Sequence, residues 1–346
     1  MKCSAKLSQF VSFHPAGGVA LCCLGLLGVG LALGAESLAE SPEGGALAGE
    51  RPRVIISTDI GGSDPDDFQS MVHLLLYADS LQIEGLISSP PDKGRLEHIH
   101  EVLDAYEADY RALCRNSGRQ FPTASELREL SVQGAIDAAP AKGWSQPTDG
   151  SRRIVQQAKL KADRPLWVLV WGSITDVAQA VHDDPTIKTN LRVYSIGSWN
   201  TKMDESARKY LYEKHPDLWW IENDTTFRGM YQGGLQQGEW GNREFIKRHV
   251  RDFGALGSLY WDKKQDIKMG DTPSLLYLLR GDINDPTADH WGGAFQPTDH
   301  GPHYWTDDPQ PSLSDQNRAG AKTVNRWRQD YLSDWQQRMT WLRDGQ

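Results

Sequence analysis

VIISTDIGGSDPDDFQSMVHLLL, residues 54–76, carries the signals of a strand, a turn and a helix in succession. Its β-branched start predicts a buried parallel strand. After the turn, apolar side chains recur at helical spacing, at Phe68, Met71, Val72, Leu75 and Leu76. Four carboxylates lie between strand and helix, at Asp59, Asp64, Asp66 and Asp67. Because open α/β sheets bind ligands at the carboxyl ends of their strands, this turn is the candidate functional site.

Four carboxylates so close in sequence repel one another unless something compensates their charge. Asp64 could cap the helix, with Pro65 at its first position, and the helix dipole could stabilise a second aspartate. Solvent could then screen the others. A hard cation such as Ca²⁺, which takes several oxygen ligands, would instead account for the whole group. The residue pattern leaves both interpretations open.

The rest of the chain alternates between strand and helix patterns. Further strands are predicted at Leu81–Ser88, Pro165–Trp171, Leu191–Ile196 and Leu218–Ile221. Helices are predicted from Gly94 to Asn116, closed by Gly118, and through Val177, Ala180 and Val181. This alternation predicts an α/β fold with a mostly parallel, doubly wound sheet and helices on both faces. Right-handed crossovers would place the strand ends on one rim, with Asp59, the segment WGSITD (171–176) and Ser198–Asn200.

Four segments in this order resemble the nucleoside hydrolase superfamily, and most closely its nucleoside hydrolase-like family of Sde182-type cellulose-binding proteins. They are TDIGGSDPDD (58–67), LLLYADSLQIEGLISS (74–89), LWVLVWGSITDVAQAV (166–181) and GDTPSLLYLL (270–279). The resemblance spans residues 54–295 and implies a nucleoside hydrolase-like fold. It also implies a Ca²⁺ cofactor and a small nucleoside or glycoside as the substrate.

The resemblance assigns roles to individual residues. Asp59 matches the aspartate that both binds the metal and acts as general base toward water. Asp67, Asp271 and the main-chain carbonyl of Thr175 match the other metal ligands, and Asp66 matches a residue that binds sugar hydroxyls. Oxygen ligands suit a hard cation, which in turn lowers the pKa of a bound water. Each residue also has a structural alternative, because Asp271 could cap a helix, Thr175 could stabilise a turn and Asp66 could serve the helix dipole.

Three positions depart from the nucleoside hydrolase pattern. Ser57 stands where a further aspartate is usual, and the turn before the Asp66–Asp67 pair is longer. Gly270 replaces the histidine that assists the leaving group in nucleoside hydrolases. A replacement acid could come from a histidine in DHWGGAFQPTDHGPHYW (289–305), namely His290, His300 or His303.

Aromatic residues near the strand ends are candidate substrate contacts. Trp199 and Asn200 follow a predicted strand, and Trp291 precedes a Gly-Gly pair in the segment 289–305. Aromatic rings stack on the apolar faces of sugars and bases, so this segment could form a lid with His290 and Trp291 at the substrate. The alternative is packing, because a tryptophan beside Gly-Gly can simply cover a strand end.

The N-terminus has the pattern of a secretory signal peptide over residues 1–35. Lys2 and Lys6 precede the apolar run VALCCLGLLGVGLALGA (19–35), and small residues permit cleavage near its end. An uncleaved membrane anchor or a lipoprotein remains the alternative. A polar linker (36–51) and a nucleoside hydrolase-like domain (52–346) would follow. We therefore expect a secreted or periplasmic protein without a stable membrane span after cleavage.

Composition restricts the mature protein further. Signal cleavage would leave Cys114 as the only cysteine, so no intramolecular disulfide would form. The net charge of −9 argues against nucleic-acid polymers as partners. The tail from Ser312 to Arg343 predicts one helix whose apolar stripe docks on the domain, or alternatively forms a homo-oligomer contact. Its apolar residues are Val324, Trp327, Tyr331, Trp335 and Met339.

The sequence thus predicts one of two functions. The first is an exported Ca²⁺-dependent hydrolase of N-glycosidic bonds, with water activated by Asp59. The second is a non-catalytic Ca²⁺-dependent carbohydrate-binding protein on the same fold. The absence of the histidine at Gly270 favours the binding protein, whereas the retention of Asp59 favours the hydrolase.

Overall fold

The apolar runs of the chain form one eight-stranded sheet in the computed structural model, which describes residues 51–62, 64–89 and 93–343. The strands are β1 (Arg53–Thr58), β2 (Gln82–Ser88), β3 (Ser131–Gln133), β4 (Leu166–Val170), β5 (Leu191–Ile196), β6 (Trp219–Asn223), β7 (Phe295–Pro297) and β8 (Tyr304–Asp307). Their order across the sheet is β3-β2-β1-β4-β5-β6-β8-β7. All neighbouring strands are parallel except β7 and β8, which are antiparallel.

Twelve α-helices connect and follow these strands within the described residues. They are α1 (Asp66–Leu76), α2 (Leu96–Ser117), α3 (Ala124–Leu130), α4 (Asp149–Ala158), α5 (Thr175–Asp183), α6 (Trp199–Met203), α7 (Glu205–Lys214), α8 (Asn242–His249), α9 (Gly254–Lys263), α10 (Thr272–Leu279), α11 (Ala321–Asn325) and α12 (Arg328–Thr340). As predicted, Gly118 closes α2, directly after Ser117, and adopts the left-handed conformation with φ 66°.

Helices pack on both faces of the sheet because side chains alternate along each buried strand. Val54 and Ile56 of β1 belong to one hydrophobic core, together with residues of α1, α2, α9, α10 and α12. Ile55 belongs to a second core, with residues of α4, α5 and α7. The predicted α/β architecture with a mostly parallel, doubly wound sheet is therefore confirmed.

The strand order reverses its direction between β1 and β4. From β1 the chain builds outward through β2 and β3, whereas β4, β5 and β6 extend the other side of the sheet. In open parallel sheets a crevice forms at the carboxyl ends of the strands where the order reverses. Asp59 follows β1 and Trp171 follows β4, so the predicted site lies at this crevice.

The C-terminal segment docks on the domain, but the prediction of one helix from Ser312 was wrong in its extent. Gln316 and Asn317 have positive φ, and left-handed Gly320 precedes α11, so helical structure cannot run through this part. In α12 the side chains of Tyr331, Trp335 and Met339 are fully buried. Arg338 Nη1 donates to the Leu76 carbonyl oxygen at 2.8 Å, which ties α12 to the end of α1.

The N-terminal features of the sequence stay predictions. The signal peptide (1–35) and its linker, apart from Arg51, lie outside the described residues. Over the part of the chain that the structure describes, no helix combines the length and apolar character needed to cross a membrane. Cys114 is half-buried on α2 as a free thiol.

Candidate functional site

Three parts of the chain bring aspartates together at the crevice. Asp59 follows β1, Asp66 and Asp67 open α1, and Asp271 directly precedes α10. Carboxylate oxygens of Asp66, Asp67 and Asp271 lie within 4.8 Å of one another. We call Asp59, Asp66, Asp67 and Asp271 the acidic wall. Its formation shows that residues distant in the chain converge as the sequence predicts.

The acidic wall is electrostatically unfavourable without a compensating charge. Burial raises the pKa of Asp66 to about 7, and the negative charge of Asp59 adds to this shift. Burial, followed by repulsion from neighbouring carboxylates, holds the pKa values of Asp67 and Asp271 well above their usual range. A cation among these oxygens would reverse the effect by favouring the ionised forms.

The helix-cap interpretation was wrong for Asp64, whereas Asp271 does occupy the predicted cap position but without a side-chain capping hydrogen bond. Pro65 occupies the cap position of α1, no side chain caps this helix, and Asp64 instead pairs with Lys268. Asp271 occupies the cap position of α10, with Pro273 in the first turn, but its side chain makes no capping hydrogen bond. Its Oδ2 atom instead accepts a hydrogen bond from Ser70 Oγ at 3.4 Å.

Neighbouring residues hold the turn after β1 in place. The buried Thr58 hydroxyl donates to Asp67 and accepts from the backbone N–H of Ile60 at 3.1 Å. Gly61 has φ 91°, a conformation that side chains other than glycine rarely adopt. Gly172 lies so close to this turn that a Cβ atom would come within 2.7 Å of Asp59 Cβ. The ends of β1 and β4 therefore pack together directly at Asp59.

A cavity of about 270 Å³ is lined by the acidic wall and by a second set of residues. We call Ser198, Phe227, Arg228 and Tyr231 the arginine wall. The full lining consists of Asp59, Gly62, Asp64, Asp66, Asp67, Trp171, Ile196, Gly197, Ser198, Trp199, Asn200, Phe227, Arg228, Tyr231, Lys268 and Asp271. The lining thus combines clustered carboxylates with cationic and aromatic side chains.

Arg228 organises the arginine wall. Its Nη1 donates to Tyr231 Oη and its Nη2 to Ser198 Oγ, each at 3.1 Å. The guanidinium carbon lies 4.8 Å from the centre of the Phe227 ring. Within residues 51–62, 64–89 and 93–343, no carboxylate forms an ion pair with Arg228. Its hydrogen-bond partners are hydroxyl groups, so its positive charge remains available at the cavity.

The structure brings two of the predicted substrate contacts to the cavity. Trp199 lies in its lining with 61% of its surface exposed, which leaves the ring accessible for stacking. Asn200 also lines the cavity, and its amide donates to the carbonyl oxygens of Trp171 and Ile196 at 2.7 and 3.1 Å. Asn200 therefore connects the ends of β4 and β5.

The structure does not bring Thr175 to the cavity, so its predicted contact with the metal does not fit. Thr175 is the first residue of α5, and its hydroxyl donates to Asp204 Oδ2 at 2.7 Å. Trp171 lines the cavity after β4 instead, four residues earlier in the chain. The alternative interpretation of Thr175, local hydrogen bonding at a turn, agrees with the structure, because the backbone N–H of Thr175 donates to Ser173 Oγ at 3.1 Å.

His290 and Trp291 also lie away from the cavity lining, so their predicted substrate contacts do not fit either. The ring nitrogens of buried His290 contact the carbonyl oxygens of Ala288 and Asp282 at 2.9 and 2.8 Å. Trp291 is partly buried against the core. A Cβ on Gly292 would come within 2.0 Å of the Pro273 carbonyl oxygen, so this glycine allows close packing on α10.

The other two candidate histidines are likewise elsewhere. His300 stacks on Tyr212 with ring centres 3.4 Å apart, and His303 packs beside Trp305. The described residues that line the cavity include no histidine. Segment 289–305 therefore packs against α10 and at the β7–β8 edge of the sheet. This agrees with the alternative interpretation that its residues serve packing.

Sequence reasoning missed Arg228, Tyr231 and Lys268. The first two follow β6, in the segment NDTTFRGMY (223–231). The same rule that selected the residues after β1, β4 and β5 would have selected this segment, because β6 ends at the same edge. Lys268 comes from an irregular stretch before α10 and carries no comparable signal.

The sequence matches the family model described as cellulose-binding Sde182, nucleoside hydrolase-like domain, over residues 53–295. No curated protein matches the chain. Among solved structures, a nucleoside hydrolase-related protein from Saccharophagus degradans, associated with carbohydrate metabolism, is similar with 24% identity and a TM-score of 0.69. The alignment covers 86% of this chain and 73% of that protein.

Two effector proteins share the fold at lower identity. The effector XOO4466 aligns with 10% identity and a TM-score of 0.54, covering 85% of this chain and 95% of the other. The type III effector XopQ, solved with adenosine diphosphate ribose, aligns with 11% identity and a TM-score of 0.52, covering 85% and 94%. At these identities the likeness concerns the fold, whereas the family follows from the match over residues 53–295. The chain belongs to the family of Sde182-type cellulose-binding proteins with a nucleoside hydrolase-like domain.

Proposed function

We propose that this protein is an exported Ca²⁺-dependent hydrolase of N-glycosidic bonds in a nucleoside or a related ribosyl or glycosyl compound. The observation that carries this proposal is the convergence of the acidic wall on a cavity of about 270 Å³ at the carboxyl edge of the sheet. Export rests on the signal-like sequence of residues 1–35.

The donor set supports a hard cation. Asp67 and Asp271 are 5% and 3% exposed, and Asp66 contributes a further oxygen within the 4.8 Å cluster. Clustered oxygen donors suit Ca²⁺ better than softer metals. Asp59, Asp67 and Asp271 would hold the ion. When bound, the cation would coordinate vicinal sugar hydroxyls and lower the pKa of a water molecule.

The residues of the acidic wall would then have different roles in hydrolysis. Asp59 accepts the proton of the water that attacks the anomeric carbon. Asp66 accepts hydrogen bonds from the sugar hydroxyls and fixes the sugar ring beside that water. The negative charge of this wall also stabilises the positive charge that develops on the sugar as the bond to the leaving group breaks.

A second candidate is a non-catalytic Ca²⁺-dependent carbohydrate-binding protein. Gly270 in place of the leaving-group histidine favours it, as does the lack of any histidine among the described residues that line the cavity. The description of the family as cellulose-binding also favours it. Asp59, which a pure binding protein does not need, favours the hydrolase.

The test is a panel of nucleosides and p-nitrophenyl glycosides, assayed with calcium and with chelator. For the wild type we expect calcium-dependent turnover. For Asp59→Asn at saturating calcium we expect a loss of about 100-fold or more in turnover with sugar binding retained. Asp64→Asn is the matched control, because Asp64 pairs with Lys268 rather than joining the cluster. Calcium-dependent binding without turnover on any substrate would favour the binding protein. If neither binding nor turnover depended on calcium, both candidates would fail.

A further inference from the structure

Hydrolysis of an N-glycosidic bond leaves a nitrogen that departs poorly unless it receives a proton. A cation bound by the acidic wall would keep its carboxylates ionised, which removes them as proton donors. Outside that wall, the described cavity lining includes three side chains with a transferable proton, namely Tyr231, Lys268 and Ser198. Lys268 is already engaged by Asp64, and the Ser198 hydroxyl is a much weaker acid than a phenol. Tyr231 is therefore the remaining candidate for the acid that protonates the leaving nitrogen.

The hydrogen bonding of Tyr231 leaves its own proton available. Arg228 Nη1 donates to Tyr231 Oη at 3.1 Å, so the phenol oxygen acts as the acceptor in this contact. Within the described part of the chain, Tyr231 Oη donates to no other group. A phenol that accepts from a guanidinium and lines a cavity can direct its O–H toward a bound ligand.

Arg228 is also placed to stabilise the phenolate that Tyr231 becomes after it gives up its proton. It has no carboxylate partner among the described residues, so its charge can stabilise a phenolate on Tyr231. Burial raises the pKa of Tyr231, Arg228 opposes that rise, and the negative charge of Asp66 adds to it. Tyr231 thus carries its proton at rest, and the guanidinium is positioned to take up the charge when the proton leaves.

We infer that Tyr231, polarised by Arg228, is the acid that protonates the leaving group, in the place that histidine occupies in nucleoside hydrolases. This assignment rests on the proposed function. As the glycosidic C–N bond breaks, its electron pair passes to nitrogen, which takes the proton from Tyr231 Oη. Water adds its oxygen to the anomeric carbon and gives its proton to Asp59. Solvent then returns one proton from Asp59 to the Tyr231 phenolate, so the net reaction consumes one water.

The test compares two substrates that share a sugar but differ in leaving group. Uridine requires a proton on its leaving nitrogen, whereas the p-nitrophenolate of p-nitrophenyl β-D-ribofuranoside departs without one. We expect Tyr231→Phe to lower kcat for uridine by about 100-fold or more and to lower kcat for the p-nitrophenyl riboside by less than about fivefold. Arg228→Met should shift the two rates in the same selective way.

Tyr110→Phe is the matched control, because the Tyr110 hydroxyl donates to the Phe121 carbonyl oxygen outside the cavity. An equal loss on both substrates, or no loss on uridine, would overturn the role of Tyr231. Wild-type protein that cleaves the p-nitrophenyl riboside but no nucleoside would uphold hydrolysis and overturn the acid. Wild-type protein that cleaves neither would overturn the proposed function itself.

Discussion

The two walls of the cavity are built in different ways. Each residue of the acidic wall follows a strand or begins a helix, in a short motif that includes glycine or proline. The arginine wall instead comes from a 3₁₀ turn after β6 and from Ser198, a non-glycine residue with φ 60°. Both walls thus combine separate segments at the strand ends, but short sequence motifs mark only the wall that would hold the sugar, whereas no such motif marks the wall that would face the leaving group. A family can keep the first wall while changing the second.

The largest expected effect concerns the acidic wall. Calcium at about 100 times its dissociation constant should stabilise the wild type by about 2.7 kcal/mol, and a chelator should remove this gain. Asp67→Asn should lose the calcium response, because Asp67 is a buried member of the oxygen cluster. Thermal unfolding with and without calcium measures both effects. A full calcium response in Asp67→Asn would contradict the role of the wall.

Strong local patterns made the fold and the acidic wall predictable from sequence. Val54–Ile56 and the apolar spacing from Phe68 to Leu76 fixed β1 and α1, and the alternation that followed fixed the sheet. The predictions that did not fit concerned residues whose positions depend on tertiary contacts. His290 and Trp291 have plausible chemistry. The stacking of His290 on Tyr277 of α10 and the packing of Trp291 against the core follow from contacts that local periodicity does not encode.

A smaller effect tests how α10 places Asp271. The Gly292→Ala change would bring a methyl group within 2.0 Å of the Pro273 carbonyl oxygen, so backbone must move. We expect a loss of about 2 kcal/mol in the free energy of unfolding. Because Asp271 lies two residues before Pro273 and directly precedes α10, calcium affinity should fall as well. Denaturant unfolding measures the first effect and calcium titration the second. An unchanged free energy of unfolding together with an unchanged calcium affinity would show that the packing of Gly292 on α10 does not position Asp271.

The smallest effect separates the two candidate aromatic contacts. Trp199→Ala should raise KM for p-nitrophenyl β-D-ribofuranoside about fivefold, equivalent to about 1 kcal/mol of stacking. Trp291→Ala should leave KM unchanged, because Trp291 does not line the cavity. Trp199 is 61% exposed, so its removal should hardly alter the melting temperature. The reverse pattern would restore segment 289–305 as a substrate lid.

The most direct test of the central claim is calorimetric titration of calcium into three proteins. These are the wild type, Asp271→Asn and Asp64→Asn. Asp271 belongs to the buried cluster but is far from Asp67 in the chain, whereas Asp64 is close in sequence and pairs with Lys268. We predict that the wild type and Asp64→Asn bind one calcium ion with similar affinity and that Asp271→Asn binds at least about tenfold more weakly. Equal affinity in all three proteins, or no calcium binding by the wild type, would contradict the account.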